Sequence, residues 1–311
     1  MNDAAGGGGA RNPRWGVVAV LAASLLLGLA PLLFLALAVL GLLLPPRRPL
    51  VALASAAVVA LFAVPAASSL PALVVFGWTA ALTVLFALLS LRFPAWSFTA
   101  RGLAAAGGAL AGFGAVLAAS GRWAGLERAV GEQVGAFATG WRDRFVAGVT
   151  DPEAAEQLAA AVARAAEWQL RVFPATVALY SLAVLALAWW VFLRLGGRER
   201  WGDPVPLRSF RFNDHLVWAA IAGAMLLLLP LGPVPARIGA NLLLFMGGLY
   251  ALRGFAILTF MVRGGLPALL LTGGAVVMAL LNPLVLAVPM LLGIGDTWLD
   301  VRRRAALASR T

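Results

Sequence analysis

The sequence contains no cysteine and no lysine, and its only histidine is His215. The lack of cysteine excludes disulfides, thiolate metal sites and cysteine nucleophiles, and one histidine cannot form a multi-histidine metal site. We interpret His215 as an interfacial side chain at the start of a span. Neither the phosphate-binding pattern GxxxxGK(S/T) nor the zinc pattern HExxH occurs in the sequence. If this protein were part of an ATP-driven pump, the ATPase would therefore have to be a separate chain.

Charged residues are scarce as well: 12% of the 311 residues are charged, while 62% are hydrophobic. Ordinary soluble domains are about half apolar and about a quarter charged, so this composition predicts an integral membrane protein. The 24 basic residues are all arginines and lie in short clusters between apolar runs, where arginine normally anchors helix ends at the membrane surface. The net charge of +11 therefore does not indicate a nucleic-acid-binding protein.

The apolar residues form long runs, and a helix of roughly 20 residues crosses a bilayer core of about 30 Å. Helices are the economical way to satisfy so many backbone groups in lipid. The sequence therefore predicts an all-α fold, a polytopic transmembrane helical bundle of about eight membrane segments. The first run contains Gly28 and Pro31, so it forms one kinked helix or two short helices. The runs are residues 16–44, 49–64, 71–91, 100–120, 173–195, 214–231, 236–262 and 266–293.

Changes in composition divide the chain into five parts. Residues 1–15 are polar and rich in glycine, and we expect them to form a disordered tail. The run that follows is longer than the apolar region of a cleavable signal, so we interpret it as a retained membrane helix. With eight spans both termini lie on one side, and we expect that side to be cytoplasmic because of the arginines near both ends. The same count places the loop arginines on the opposite side, against the positive-inside rule, so the arginines do not settle the orientation. The remaining parts are N-terminal membrane helices (16–120), an amphipathic helical insertion (121–171), C-terminal membrane helices (172–295) and a basic tail (296–311).

The insertion contains two predicted helices. A second helix is expected to begin at Asp151-Pro152-Glu153, where a capping residue, an early proline and a first-turn acid coincide. Six arginines and seven acids leave the insertion nearly neutral, whereas a helix that binds a membrane surface is typically basic. We favour a cap over the bundle, with an interfacial or partner-binding helix as the alternative. The first helix has apolar residues at steps of three or four, at Leu126, Val130, Val134, Phe137, Trp141 and Phe145.

Arg253 is an ionisable residue deep within an apolar run, where charge is costly and marks functional positions. With Asn241 and Tyr250 it forms a polar face that binds an anion, or it pairs with a carboxylate such as Asp296. In a third interpretation the helix ends near residue 252 and Arg253 extends to the interface. Asn282 precedes a proline that interrupts the last run, and such breaks either line cavities or serve packing alone. The predicted ligand-binding residues are Asn241, Tyr250, Arg253 and Asn282.

Asp296 and Asp300 lie four residues apart and share one helical face. General acid and base catalysis also needs a sheltered pocket and two different pKa values. Because three arginines follow at once, we interpret the two carboxylates as ion-pair partners of arginines such as Arg302 where the last helix leaves the membrane. We expect Gly293 and Gly295 to loosen the end of that helix. No catalytic residue and no metal ligand is assigned.

Gly108 and Gly112 have the GxxxG spacing that lets one helix approach another closely. We predict that this face packs against a neighbouring helix, either within the bundle or between subunits.

Four stretches resemble a known family: RVFPATVALYSLAVLALAWW, SFRFNDHLVWAA, NLLLFMGGLYALRGFAIL and the tail GIGDTWLDVRRR. They are similar to the bacterial YybS-like predicted membrane proteins, domain-of-unknown-function family 2232, over about residues 16–304. The tail is the most specific part, because Gly295, Asp296, Trp298, Asp300 and Arg302 match in order and spacing. The resemblance implies a multi-pass protein of the bacterial cytoplasmic membrane. Similar layouts suggest a relation in fold to the substrate-binding subunits of energy-coupling-factor transporters, which use a coupling subunit and ATPases on other chains.

Two functions follow as expectations. The first is a small-molecule-binding transport subunit that depends on separate energising subunits. The second is a non-transporting scaffold or assembly factor for a cell-envelope complex. In both, the lipid bilayer surrounds the chain, which is expected to have no enzymatic activity, no cofactor and no nucleic-acid partner.

Overall fold

The computed structural model describes residues 30–42, 58–59, 61, 70–145, 148–203, 205–262, 286–300, 302 and 304. The regular structure in these ranges is helical, without strands, so the predicted all-α class is confirmed. The predicted tail 1–15, most of the runs 49–64 and 266–293, and Asn282 lie outside the described residues. The longer helices are α1 (Ala30–Gly41), α2 (Leu70–Arg92), α3 (Phe98–Ala119), α4 (Trp123–Phe145), α5 (Pro152–Phe192), α6 (Val217–Leu228), α7 (Pro233–Met261) and α8 (Ala287–Leu299).

Four stretches of helix in the described ranges are long and apolar enough to cross a membrane: Val74–Arg92, Phe98–Ala119, Pro152–Gly197 and Pro233–Met261. Three of them coincide with predicted runs, and Pro152–Gly197 contains the predicted run 173–195, because an apolar segment in lipid must pair its own backbone groups within the helix. Helices α1, α6 and α8 are apolar but shorter. The chain is therefore a helical membrane protein with several apolar segments.

One compact unit comprises the described residues up to Trp96, together with residues 104–113 and 181–203. In it, the indole Nε1 of Trp78 donates a 2.7 Å hydrogen bond to the hydroxyl of Ser181. The ring of Phe86 meets the ring of Trp189 edge to face, with centroids 5.2 Å apart. These buried contacts connect α2 to the end of α5 and satisfy the polar groups that accompany the aromatic core.

The second unit comprises Ser97–Leu103 and the described residues within 114–180 and from Val205 onwards. Its core surrounds α7, where Met246, Leu249 and Tyr250 pack with Phe212 from the segment before α6. Glycine permits close approach here: a Cβ atom on Gly239 of α7 would lie 2.6 Å from the carbonyl oxygen of Gly223 in α6. Small residues at such crossings let membrane helices pack backbone to backbone.

Helix α5 has 41 residues, which gives a length of ~60 Å and about twice the thickness of a bilayer core. It begins at Pro152 as predicted, and Asp151 caps it by accepting a 3.1 Å hydrogen bond from the backbone N–H of Glu153. Charged side chains occur up to Arg171, after which the helix is apolar to its end at Phe192. The boundary predicted at residue 171 is therefore internal to one continuous helix.

Helix α4 precedes α5, and a Cβ atom on its Gly131 would lie 4.0 Å from the side chain of Leu170 in α5. Among the described residues, the predicted apolar face of α4 is buried near its beginning and exposed further along. Leu126 is buried, whereas Phe137 and Trp141 are 63% and 46% exposed.

Candidate functional site: two polar clusters and a pocket

Helix α5 contains Pro174, and the side chain of Asn241 binds backbone groups beside this proline. Proline has no N–H to donate to the carbonyl of Leu170, four residues earlier, and its ring displaces that turn of the helix, which leaves the neighbouring backbone groups of Arg171 and Ala175 accessible to a side chain. The Oδ1 atom of Asn241 accepts a 2.9 Å hydrogen bond from the N–H of Ala175. Its Nδ2 atom donates 2.9 Å hydrogen bonds to the carbonyl of Arg171 and to that of Arg237. The amide of Asn241 thus lies between a donor and an acceptor that would pair directly in an unbroken helix.

Arg237, one turn before Asn241 on α7, completes this cluster. Its Nη2 and Nε atoms donate to the carbonyls of Leu170 and Arg171 at 3.5 and 3.4 Å. Its Nη1 atom forms an ion pair with the carboxylate of Glu127 on α4. The guanidinium carbon lies 5.8 Å from the ring centroid of Phe173, a cation–π distance. One side chain therefore joins α4, α5 and α7.

A pocket of about 460 Å³ opens beside Arg237, and this volume is in the range of small-molecule sites. The side chains of Arg237 and Glu127 are 35% and 37% exposed, so the pocket reaches their ion pair. Arg171 is exposed, and in the described part of the chain its guanidinium forms no ion pair or hydrogen bond. The lining residues are Glu127, Leu170, Arg171, Phe173, Pro233, Ala236 and Arg237.

Arg253 is the centre of the second polar cluster and is fully buried. Its Nε and Nη2 atoms donate to the carboxylate and to the backbone carbonyl of Asp296, at 3.0 and 3.2 Å. Its Nη1 atom pairs with the carboxylate of Asp214, and its guanidinium lies 5.5 Å from the ring centroid of Phe212. Helix α7 continues to Met261, so Arg253 pairs with Asp296 and does not extend from a helix end to the interface. Two carboxylates compensate this buried charge.

Arg302 binds the same carboxylate oxygen of Asp296 as Arg253. Its Nη2 atom donates a 3.0 Å hydrogen bond to Oδ2 of Asp296, whose side chain is fully buried. Its Nη1 atom donates to the carbonyls of Arg208 and Phe210, at 3.2 and 2.9 Å. The chain after α8 is thereby joined to the segment before α6.

The backbone of Asp300 makes this return possible. Asp300 has the left-handed conformation, with φ 41° and ψ 54°, which aspartate tolerates better than most residues. Its N–H donates to the carbonyl of Asp296 at 3.2 Å and closes the end of α8. Its carboxylate pairs with Arg211 at 3.4 Å. Beyond this turn, Arg302 reaches Asp296 of α8.

A family model described as "Predicted membrane protein (DUF2232)" matches residues 16–297, which is most of the 311-residue chain. This chain belongs to the DUF2232 family. The matched range contains Asn241, Arg253 and Asp296, and hence the α7 residues of both polar clusters. No curated protein and no solved structure matches the chain.

In this DUF2232 protein the predicted ligand-binding residues do not lie at one place. Asn241 belongs to the cluster beside the pocket. Tyr250 is buried with its ring centroid 5.2 Å from that of Phe212, one turn from Arg253, in the second cluster. Asn282 lies outside the described residues. In the described ranges, no group of three or more histidine and acidic side chains has the arrangement to hold a metal ion.

The predicted packing glycines differ from each other in the structure. A Cβ atom on Gly108 would lie 3.5 Å from the side chain of Leu85, whereas one on Gly112 would meet no atom of the described residues within 4 Å. Both glycines are exposed. The helix face that carries both glycines therefore has a near neighbour among the described residues at Gly108 but not at Gly112.

Several site residues of this DUF2232 protein were not found from the sequence. Asp214 is the second carboxylate beside Arg253, and Glu127 and Arg237 form the ion pair at the pocket. A signal for Asp214 was present, because an acid stands directly before an apolar run within SFRFNDHLVWAA. Arg237 gave a weaker signal, since an arginine in the first turns of a span is also an ordinary interfacial anchor.

Proposed function

We propose that this protein is a non-enzymatic subunit that binds a small molecule for transport across the bacterial cytoplasmic membrane. The observation that carries the proposal is the pocket of about 460 Å³ between α4, α5 and α7. Four of its seven lining residues are apolar and three are charged. Such a mixture buries the body of a ligand while the charged groups fix its orientation.

The position of the pocket along the helices supports this role. The pocket lies where the charged half of α5 gives way to its apolar half and where α7 begins. A ligand arriving from the aqueous phase would therefore meet the pocket at the level of the membrane interface. Because no phosphate-binding loop is present in the sequence, transport would use a coupling subunit and ATPases on other chains.

Ligand screening by thermal unfolding tests the proposal. A compound present at a hundredfold excess over its Kd stabilises the folded protein by about 2.7 kcal/mol. Ala236→Trp fills the pocket and should abolish this stabilisation. Ala165→Trp, at an exposed position of α5 outside the lining, is the matched control and should retain it. If no compound stabilises the protein and no ATPase or coupling subunit copurifies with it, the transport role is wrong.

A second candidate, a scaffold, is favoured by the outer face of α4. Phe137 and Trp141 are exposed there, with ring centroids 6.2 Å apart. Exposed aromatic residues of this kind are common anchors in protein interfaces. A Phe137→Ser/Trp141→Ser variant should lose a crosslinked partner from native membranes while Trp168→Ser, at another exposed tryptophan, keeps it. Loss of a partner in a protein that binds no ligand would favour the scaffold over the transport subunit.

A further inference from the structure

We propose that the pocket between α4, α5 and α7 selects an anion attached to an apolar body. Phosphate and carboxylate groups on an amphipathic molecule have this chemistry, whether they belong to a lipid headgroup or to a soluble compound. The inference rests on the proposed function, since it specifies the class of ligand that the same pocket binds.

The charges of the lining favour an anion. Arg171 and Arg237 contribute two positive charges, and Glu127 contributes one negative charge. Arg237 is partly neutralised by Glu127, whereas the exposed guanidinium of Arg171 forms no ion pair with the described residues. Arginine binds carboxylate and phosphate oxygens with paired donors. Arg171 thus supplies donors at the pocket that no group in the described part of the chain uses.

The beginning of α7 adds positive potential to the same lining. Pro233 is the first residue of this 29-residue helix, and Pro233 and Ala236 both line the pocket. The N-cap is Gly232, which has no side chain to cap the helix, and the first turn contains no acid. The positive end of the helix dipole is therefore not compensated by its own first residues. Because prolines remove N–H donors there, the contribution is mainly electrostatic field and not hydrogen bonding.

The rest of the lining fits an apolar body. Leu170, Phe173, Pro233 and Ala236 complete the pocket. Arg171 is the last charged residue of α5 before its apolar half. An anion at Arg171 would consequently be at the membrane interface, with the attached apolar part extending along Phe173 towards the apolar half of α5.

Glu127 allows an anionic ligand to be distinguished from a neutral one. Its carboxylate occupies donors of Arg237 that an anionic ligand would also use. Glu127→Gln removes the competing charge and should strengthen anion binding. A neutral ligand, held by the apolar wall, would gain nothing from that substitution.

The experiment measures the Tm of the full-length protein in a neutral detergent with three probes. These are dihexanoylphosphatidylglycerol, which is anionic, dihexanoylphosphatidylcholine, which has the same chains but no net charge, and inorganic phosphate. The variants are Arg171→Gln, Glu127→Gln, the pocket-filling Ala236→Trp and, as the matched control, Arg164→Gln. Arg164 is exposed, two turns before Arg171 on the same side of α5, and outside the lining.

We expect the anionic lipid to raise the Tm of the wild type and of Arg164→Gln. Its apparent Kd should weaken about three- to fivefold in Arg171→Gln, the usual scale for an exposed charged contact, and tighten in Glu127→Gln. A rise with inorganic phosphate alone would identify a soluble anion as the source, and a rise only with the lipid would identify the headgroup. Both results support the anion class.

Equal stabilisation by the choline and glycerol lipids, unchanged in Arg171→Gln, would overturn the anion class but leave the pocket as a ligand site. The protein could also respond to neither anionic probe and yet be stabilised by a neutral compound, with Ala236→Trp abolishing that effect. This result too would overturn the anion class but leave the pocket as a ligand site. An anionic response that Ala236→Trp leaves intact would overturn the assignment of the anion to this pocket. No response to any probe or compound would overturn both the anion class and the proposed function.

Discussion

The Nε atom of Arg253 donates a 3.0 Å hydrogen bond to Oδ2 of Asp296, and neither side chain is exposed. The two residues are 43 positions apart in the chain, so this bond fixes α8 against α7. A buried ion pair contributes little net stability compared with apolar residues of the same shape, but removing one partner leaves a buried charge without compensation. A single substitution at Arg253 or Asp296 is therefore expected to destabilise the folded protein.

Asp296→Asn is expected to destabilise the folded protein by about 3 to 5 kcal/mol, the usual cost of breaking a buried pair from one side. The asparagine keeps the shape of the side chain but removes the charge shared by Arg253 and Arg302. Thermal unfolding in detergent measures the effect. Asp300→Asn is the control, because the side chains of Asp300 and Arg211 are 35% and 49% exposed and such pairs contribute about 0 to 1 kcal/mol. Equal losses in the two variants would contradict a central role for Asp296.

Arg253→Lys tests whether charge alone is sufficient at this position. The guanidinium donates from three nitrogen atoms to Asp296 and Asp214, whereas an ammonium group has no planar fork and cannot reproduce this arrangement. We expect a clear fall in Tm with Lys in place of Arg although the charge is retained. A Tm equal to that of the wild type would indicate that only the charge matters.

Glycine at the crossing of α7 and α8 is required by space. A Cβ atom on Gly254 would overlap the carbonyl oxygen of Pro289, and one on Gly293 would overlap the carbonyl oxygen of Tyr250. Gly254→Ala and Gly293→Ala should each cost about 1 to 3 kcal/mol or more, as overpacking does, and should weaken the Arg253 cluster between the same helices.

The matched substitution is Gly112→Ala in α3, where a Cβ atom meets no described neighbour within 4 Å. Removing a helical glycine from an open position should be neutral or stabilising by up to about 1 kcal/mol. The pattern to measure by thermal unfolding is loss at the crossing and no loss at Gly112. If Gly112→Ala instead alters the mass of the purified protein in detergent, its face packs against a second copy.

The sequence predicted the helices well because their cause is local. An apolar run of helical length must satisfy its own backbone in lipid, and the runs 71–91, 100–120 and 236–262 correspond to α2, α3 and α7. The change in composition at residue 171 was also local, but only the side chains change there, from a charged to an apolar segment. The backbone of α5 continues through it, because a helix that leaves the membrane has no reason to end there.

The site was predictable only in part, since its partners are distant in sequence. Asn241 and Arg253 were recognisable because polar atoms in an apolar run are costly and need compensation. Their partners lie 66 and 43 positions away, and only tertiary packing brings them together. Gly293 shows the same limit: glycine was expected to loosen α8, but its missing Cβ leaves room for the backbone of Tyr250.

Because Asn241 binds the backbone beside Pro174, we expect the effects of substitutions at these two residues on the free energy of unfolding to be coupled. Asn241→Ala leaves the N–H of the buried residue Ala175 without its partner, at a cost of about 1 to 3 kcal/mol, and removes one of the two side-chain donors to the carbonyl of Arg171. Pro174→Ala restores a residue that can continue the helical ladder of α5. In the double variant the N–H of Ala175 can reach the carbonyl of Arg171 directly, so the loss caused by Asn241→Ala should be much smaller than in the Pro174 background. Unfolding free energies of the wild type, the two single variants and the double variant give the coupling energy. Strict additivity would show that the contribution of Asn241 does not depend on Pro174, whereas a coupling of about 1 kcal/mol or more would show that its amide replaces a direct hydrogen bond between Ala175 and Arg171 beside the proline.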